Sequence, residues 1–115
     1  MNNLGQHYEQ LAADYLQQQG LRLISSNFQC KAGEIDLIMR DGDTLVFVEV
    51  KYRASAAFGG AMAAVTYSKQ QKLLRASRWY LQQHRLSDQP CRLDVLAIEG
   101  QSPFQYHWVK NAIGQ

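Results

Sequence analysis

Residues 33–51 carry charge where a buried hairpin should be apolar, and this constrains the fold more than any other stretch of the chain. They read as two β-strands around an Asp41-Gly42 turn. Side chains alternate between faces along a strand. Ile35, Leu37 and Met39 are therefore expected on one face, and Glu34, Asp36 and Ile38 on the other. In the second strand Val46, Val48 and Val50 fall on one side, with Leu45, Phe47, Glu49 and Lys51 opposite. A two-residue loop at Asp41-Gly42 pairs Arg40 with Asp43, Asp36 with Phe47 and Glu34 with Glu49. A four-residue loop instead sets Asp36 directly opposite Glu49. The two registers differ by an even step, so both put Asp36, Glu49 and Lys51 on one face and leave the other purely aliphatic. Two or three carboxylates and an ammonium at the end of a hairpin make a candidate divalent-metal site.

The 115 residues, 46% of them apolar, fit a single globular domain, 1–115, with enough core to need no disulfide. Cys30 and Cys91 lack any CxxC spacing and point to a reducing compartment. The N-terminal residues show no secretory pattern, and the longest aliphatic-aromatic run, 45–48, is far too short to span a bilayer. A soluble cytoplasmic protein without a membrane partner is expected. Net charge is only +2, but it is unevenly spread: residues 1–68 carry −2 and residues 69–92 carry +5. A basic surface beside an acidic cluster suits binding a polyanion at a metal site. The competing reading is a solvated helix face that happens to be basic.

Leu4, Tyr8, Leu11, Ala12, Tyr15 and Leu16 recur at helical spacing, predicting a helix over 4–19 that Gly20 stops. Glu9 lies at the edge of that apolar arc, away from Gln6, Gln10 and Gln17. A strand is expected within 21–30, before the hairpin. After Lys51 and Tyr52-Arg53, the small-residue stretch 54–64 reads as a mobile loop bordering the site. Ser68 with Gln71 resembles a capping box and predicts a second helix over 69–84. Leu73, Leu74, Ala76, Tyr80 and Leu81 form its buried face, and Lys72, Arg75 and Arg78 the opposite half. Gln70 projects into the apolar arc and so needs a partner. A linker over 85–90 leads to strands over 92–98 and 104–109. The order is helix, three strands, helix, one or two strands: a mixed α/β sandwich.

Hydrolysing a phosphodiester requires an activated water and neutralisation of charge on phosphorus and leaving oxygen. A hard cation, Mg²⁺ or Mn²⁺, supplies these while bound to one or two carboxylates, waters and phosphate. Asp36 and Glu49 are the candidate ligands, with the carbonyl of Val50 as a further oxygen. Lys51, on the same face as Glu49, can orient or deprotonate the water. Glu9 can reach the metal through water if the first helix crosses the sheet. The alternative is an exposed hairpin face with Glu34–Lys51 or Glu49–Lys51 ion pairs, which contribute little. Against it, Ile38, Leu45 and Phe47 on that face imply cover by helices. Other chemistries fit worse. His7, His84 and His107 lack ligand spacing, and neither a nucleophile elbow nor a phosphate-binding glycine loop is present.

The run Gly33-Glu34-Ile35-Asp36-Leu37-Ile38, then Phe47-Val48-Glu49-Val50-Lys51 and Arg53, resembles the signature of the YraN-like family of uncharacterised bacterial proteins. So do Gly5, Glu9 and Ala12, then Val65-Thr66 with Lys69-Gln70, and Arg92-Leu93-Asp94-Val95. That family is assigned to the PD-(D/E)XK nuclease superfamily and is similar to archaeal Holliday junction resolvases. The resemblance implies a restriction-endonuclease-like mixed sheet flanked by helices. It also implies Asp36 and Glu49 as metal ligands, Lys51 as catalytic lysine, Glu9 as a helix-borne acid and Gln70 as an accessory polar group. Ile35 stands where the superfamily's name has proline, and Tyr8 where a small residue is expected before the helix acid.

Two functions follow as expectations. The first is a Mg²⁺-dependent endonuclease acting on DNA, branched or nicked, with Arg53, Lys69, Lys72, Arg75 and Arg78 holding phosphates. A homodimer suits it, because two strands must be cut. The alternative is a catalytically inactive nuclease-fold module that binds nucleic acid or a protein partner.

Overall fold

The computed structural model of the chain describes residues 4–54 and 65–113, the Leu4 side chain excepted. The stretch 55–64, which holds most of the expected mobile loop, lies outside the described residues. Seven elements follow in order: α1 (Leu4–Gln18), β1 (Arg22–Cys30), β2 (Gly33–Asp41), β3 (Thr44–Arg53), α2 (Tyr67–Gln83), β4 (Cys91–Glu99) and β5 (Gln105–Val109). The five strands form one mixed sheet in sequence order, antiparallel except for the parallel pair β3 and β4. Parallel neighbours need a crossover, and α2 supplies it. The fold is thus the mixed α/β arrangement that the pattern of elements implies. No helix among the described residues is long and apolar enough to cross a membrane. Cys30 and Cys91 are both free thiols.

Each helix covers one face of the sheet. Ala12, Ala13 and Leu16 of α1 pack with Leu21 on Leu37, Met39, Val46, Val48, Leu96 and Ile98. On the other face Leu73, Leu74, Ala76, Tyr80 and Leu81 of α2 pack on Ile38, Leu45, Phe47, Leu93 and Val95. Side chains of this size contribute about 1.5–3 kcal/mol each when fully buried, which fixes the sheet between its helices. α1 ends as the glycine predicts. Gly20, at φ +103°, donates to Gln17 O, and Leu21 donates to Leu16 O, closing a Schellman motif with Leu21 buried beneath it. α2 begins earlier than the Ser68 pattern suggests. Thr66 is the N-cap, and its side chain accepts the Lys69 N–H.

The hairpin takes the register that sets Asp36 opposite Glu49, running from Leu37 with Val48 to Asp41 with Thr44. Its turn is Gly42-Asp43, one residue later than expected. Gly42 at φ +59° occupies the first central position, where a type II′ turn needs a positive φ. One expectation of alternation fails. Ile35 joins the core under α2, whereas Leu37 and Met39 join the core under α1. The strand changes face at Asp36. Opposite it, between the pairs Ser26–Leu37 and Phe28–Ile35, stands Asn27 in the left-handed region at φ +55°. A residue so placed breaks the regular pleat on which the alternation rule depends.

Candidate active site

The site forms where the β2–β3 ladder gives out. Leu37 and Val48 are its last paired residues. One step beyond, Asp36 Oδ2 accepts the Val50 N–H at 2.8 Å. A side chain has taken the place of a backbone carbonyl, so the carboxylate is pinned to the neighbouring strand while the two backbones part. Val50 therefore enters the site through its N–H. Glu49 and Lys51, two apart on β3, return to the same face, with Lys51 Nζ 3.2 Å from Glu49 Oε2 and both side chains largely buried. Glu9 reaches in from α1. It lines a cleft of about 240 Å³ together with Asp36, Glu49, Lys51, Tyr8 and Tyr52.

A second cleft of about 360 Å³ opens on the α2 side, lined by Glu49, Lys51, Lys69 and Lys72. Gly33 borders this cleft. At φ +148° it faces α2, and an added Cβ would stand 3.4 Å from the Lys72 Cβ. Glu34 borders both clefts, is exposed and accepts from Gln29 Nε2 at 3.4 Å; Lys51's ion pair is with Glu49.

Electrostatics single out Asp36, only 8% exposed. Burial first, then the charges of Glu49 and Glu9, push its pKa up to about 8 against the lowering pull of the Val50 N–H. Burial also raises the pKa of Glu9, opposed by its contacts with Asp36 and Asn27. With both carboxylates ionised, Glu9 Oε1 is buried with no donor. A proton on Asp36 shared with Glu9 relieves this, and so does a cation. Burial disfavours the charge on Lys51, but Lys69, Glu49 and Asp36 outweigh it and raise its pKa. The facing ammonium of Lys51 pushes the more exposed Lys69 down.

Among the described residues no three His, Cys, Asp or Glu side chains stand close enough to ligate one ion together. A closed zinc site needs four such ligands, whereas Mg²⁺ keeps several waters and takes only one or two carboxylates. Asp36 and Glu49, with the undonated Glu9 oxygen behind them, fit such an ion.

The structure does not gather every residue that sequence reasoning singles out. Asp36, Glu49, Val50, Lys51, Glu9 and Arg53 line one cleft, and Lys69 and Lys72 the other. Arg75 and Arg78 are exposed on α2 but line neither. Gln70 lines neither as well. Its inward direction is answered by the Val65 carbonyl, to which Nε2 donates at 3.1 Å, so it braces the start of α2. Three residues near the carboxylates escape the sequence reading: Asn27, Tyr8 as a wall of the cleft, and Tyr52. Asparagine tolerates left-handed backbone, so an Asn amid a strand is the available signal for the first. Tyr52 follows Lys51 directly, but alternation sends it to the opposite face.

Residues 8–98 match Uncharacterised protein family UPF0102. Curated relatives agree over nearly the whole chain. A UPF0102 protein of Aeromonas hydrophila is 52% identical over 110 residues, covering 94% of this chain and 82% of its own. One from Nitrosomonas europaea is 49% identical over 113 residues, covering 98% and 95%. One from Colwellia psychrerythraea is 54% identical over 111 residues, covering 94% and 86%. The match spans α1 through β4, including Glu9, Asp36, Glu49 and Lys51, and the chain belongs to Uncharacterised protein family UPF0102.

Proposed function

We propose that this protein is a divalent-metal-dependent nuclease that hydrolyses phosphodiester bonds in DNA, branched or nicked. The observation that carries the reading is Asp36. A buried carboxylate, pinned by a backbone N–H where two strands part, faces Glu9 and Glu49 with Lys51 beside them. A purely structural carboxylate is normally surrounded by donors. The resemblance to PD-(D/E)XK nucleases, carried by Asp36 and Glu49-Val50-Lys51, points the same way.

Asp36 and Glu49 would hold Mg²⁺ or Mn²⁺, and Glu9 would contact its water shell. The bound ion would supply charge neutralisation at the phosphate and lower the pKa of a water. Lys51, kept charged by Glu49 and Asp36, would hold the phosphate oxygen or orient the attacking water. Lys69 and Lys72 line the second cleft and Arg53 the first, so cations flank the carboxylates on both sides for the approaching backbone. Cutting both strands of a branched substrate needs two such sites, which a homodimer would provide.

The test is a panel of linear, nicked, flapped and four-way DNA substrates with Mg²⁺ or Mn²⁺, run beside Asp36→Ala and Lys51→Ala. The reading predicts cleavage that chelator and both substitutions abolish while the variants stay folded. Cleavage unchanged in both variants would sink the site assignment. Salt-sensitive DNA binding with no hydrolysis under any divalent ion would favour an inactive binding module.

A further inference from the structure

Resting on the nuclease reading above, we propose that Tyr8 and Tyr52 form a platform that stacks an unpaired nucleobase beside the cleft, selecting DNA with unpaired nucleotides over continuous duplex. The two rings lie parallel, 3.9 Å between centroids and 6° between planes. Phe104 meets both edge-on at 6.1 Å, and the exposed His7 meets Tyr8 at 5.1 Å. Tyr52 is fixed by its hydroxyl, which donates to Gly100 O at 2.7 Å. Tyr8 immediately precedes Glu9 and Tyr52 immediately follows Lys51, so each ring is tied through the backbone to a group of the carboxylate cleft.

Tyr8 and Tyr52 pack against the core under α1, as Tyr15 and Tyr106 do, but they differ in what they border. Tyr15 and Tyr106, on the same side of the sheet, also stack, at 4.5 Å and 6°, but line none of the clefts. Tyr8 and Tyr52 are only half-buried and form a wall of the cleft that holds Asp36, Glu49 and Lys51. The half-buried rings leave part of their π-surface open to the cleft, where a nucleobase can stack. The ligand that joins such a ring to an anion is a nucleotide, and the exposed Arg53 in the same cleft supplies the charge for its phosphate. Bases inside a continuous duplex have both faces covered. A nucleotide at a flap, overhang or branch has a face free, and stacking on tyrosine tolerates any base.

The test binds Ca²⁺-loaded protein to a blunt duplex and to a flapped duplex carrying 2-aminopurine at the first unpaired position. Wild-type protein is expected to bind the flap about tenfold more tightly or better and to quench the 2-aminopurine emission. Tyr8→Leu, apolar but unable to stack, is expected to lose both the preference and the quenching while still binding duplex. Tyr8→Phe is expected to keep both. Equal wild-type affinity for flap and duplex, or unchanged quenching by Tyr8→Leu, overturns the platform and leaves the nuclease reading standing. Failure to bind either DNA overturns both.

Discussion

Asp36 on β2 and Asp94 on β4 are both buried aspartates of the sheet, and they are treated in opposite ways. Asp94, fully buried on β4 beside Val48, is linked through Arg92 to Asp41 near the hairpin turn. It accepts from Arg92 Nε at 3.1 Å, from Trp108 Nε1 at 2.9 Å and from the Asn111 N–H at 2.8 Å, and Arg92 goes on to Asp41 at 3.0 Å. Asp36, at the open end, receives one backbone N–H and faces two carboxylates. Donors surround the first, so it holds strands and the C-terminal segment together. The second has a single backbone donor and is neighboured by acids, so it is suited to an ion that arrives from outside. Burial of a charged residue is thus no sign of function by itself; what distinguishes the two is what lies opposite.

The largest expected effect separates the two aspartates by stability. Asp94→Ala leaves Arg92 Nε, the Trp108 indole and the Asn111 N–H without their acceptor, at a cost of about 3–5 kcal/mol. Thermal melting should show a fall in Tm of roughly 10 °C or more. An unchanged Tm would erase the contrast between the two aspartates.

Asp36→Asn should do the reverse. Its fold is expected to survive, because the amide oxygen can still accept the Val50 N–H and the site already carries a neutral Asp36 near neutral pH. Cleavage, read in single-turnover assays, should fall by about 10²–10³-fold, as for removal of a group that stabilises transition-state charge.

The third effect is on pH. Asp36 has a folded pKa of about 8, raised above the ordinary value of 3.8, so the folded state binds a proton more tightly than the unfolded one. Its contribution to stability is fully present below the unfolded value and is lost as pH rises through the folded value. Metal-free protein should therefore lose stability between about pH 4 and pH 8, on the order of 1–3 kcal/mol after allowance for the remaining exposure and for relaxation. Chemical denaturation across that range checks this, and the slope should flatten in Asp36→Asn. A slope of opposite sign that Asp36→Asn removes would contradict the electrostatic origin given to it.

The smallest effect concerns the α2 surface. Arg75→Gln with Arg78→Gln touches neither cleft and should weaken DNA binding alike for all sequences, with the salt slope falling by about one for each phosphate no longer neutralised. An unchanged salt slope would remove these two arginines from the interface.

Much of this is legible in the sequence alone. Alternation puts Glu49 and Lys51 on one face, the register options differ by an even step, and the helical spacing of Leu73 to Leu81 marks the buried side of α2. What escapes depends on neighbours distant in sequence. Alternation assigns Ile35 to the wrong face because the pleat breaks at Asp36, opposite left-handed Asn27, and nothing local to β2 announces it. The donors to Asp94 include Trp108 and Asn111, brought in by the pairing of β5 with β4 and the turn beyond. Gln70 resembles part of the site because an inward amide demands a partner, but the partner is the backbone of Val65. The start of α2 shows the same limit at short range, since Ser68 and Thr66 are both good caps and only the fold selects Thr66.

Calorimetric titration of Mn²⁺ at pH 7, repeated in two buffers of different ionisation enthalpy, is the sharpest test of Asp36 as the heart of a metal centre. With Asp36 protonated near neutrality, binding should release about one proton per ion, and Asp36→Asn should abolish both binding and release. Binding that persists unchanged in Asp36→Asn, or no binding by the wild-type protein, would contradict the assignment of this cluster as a metal centre.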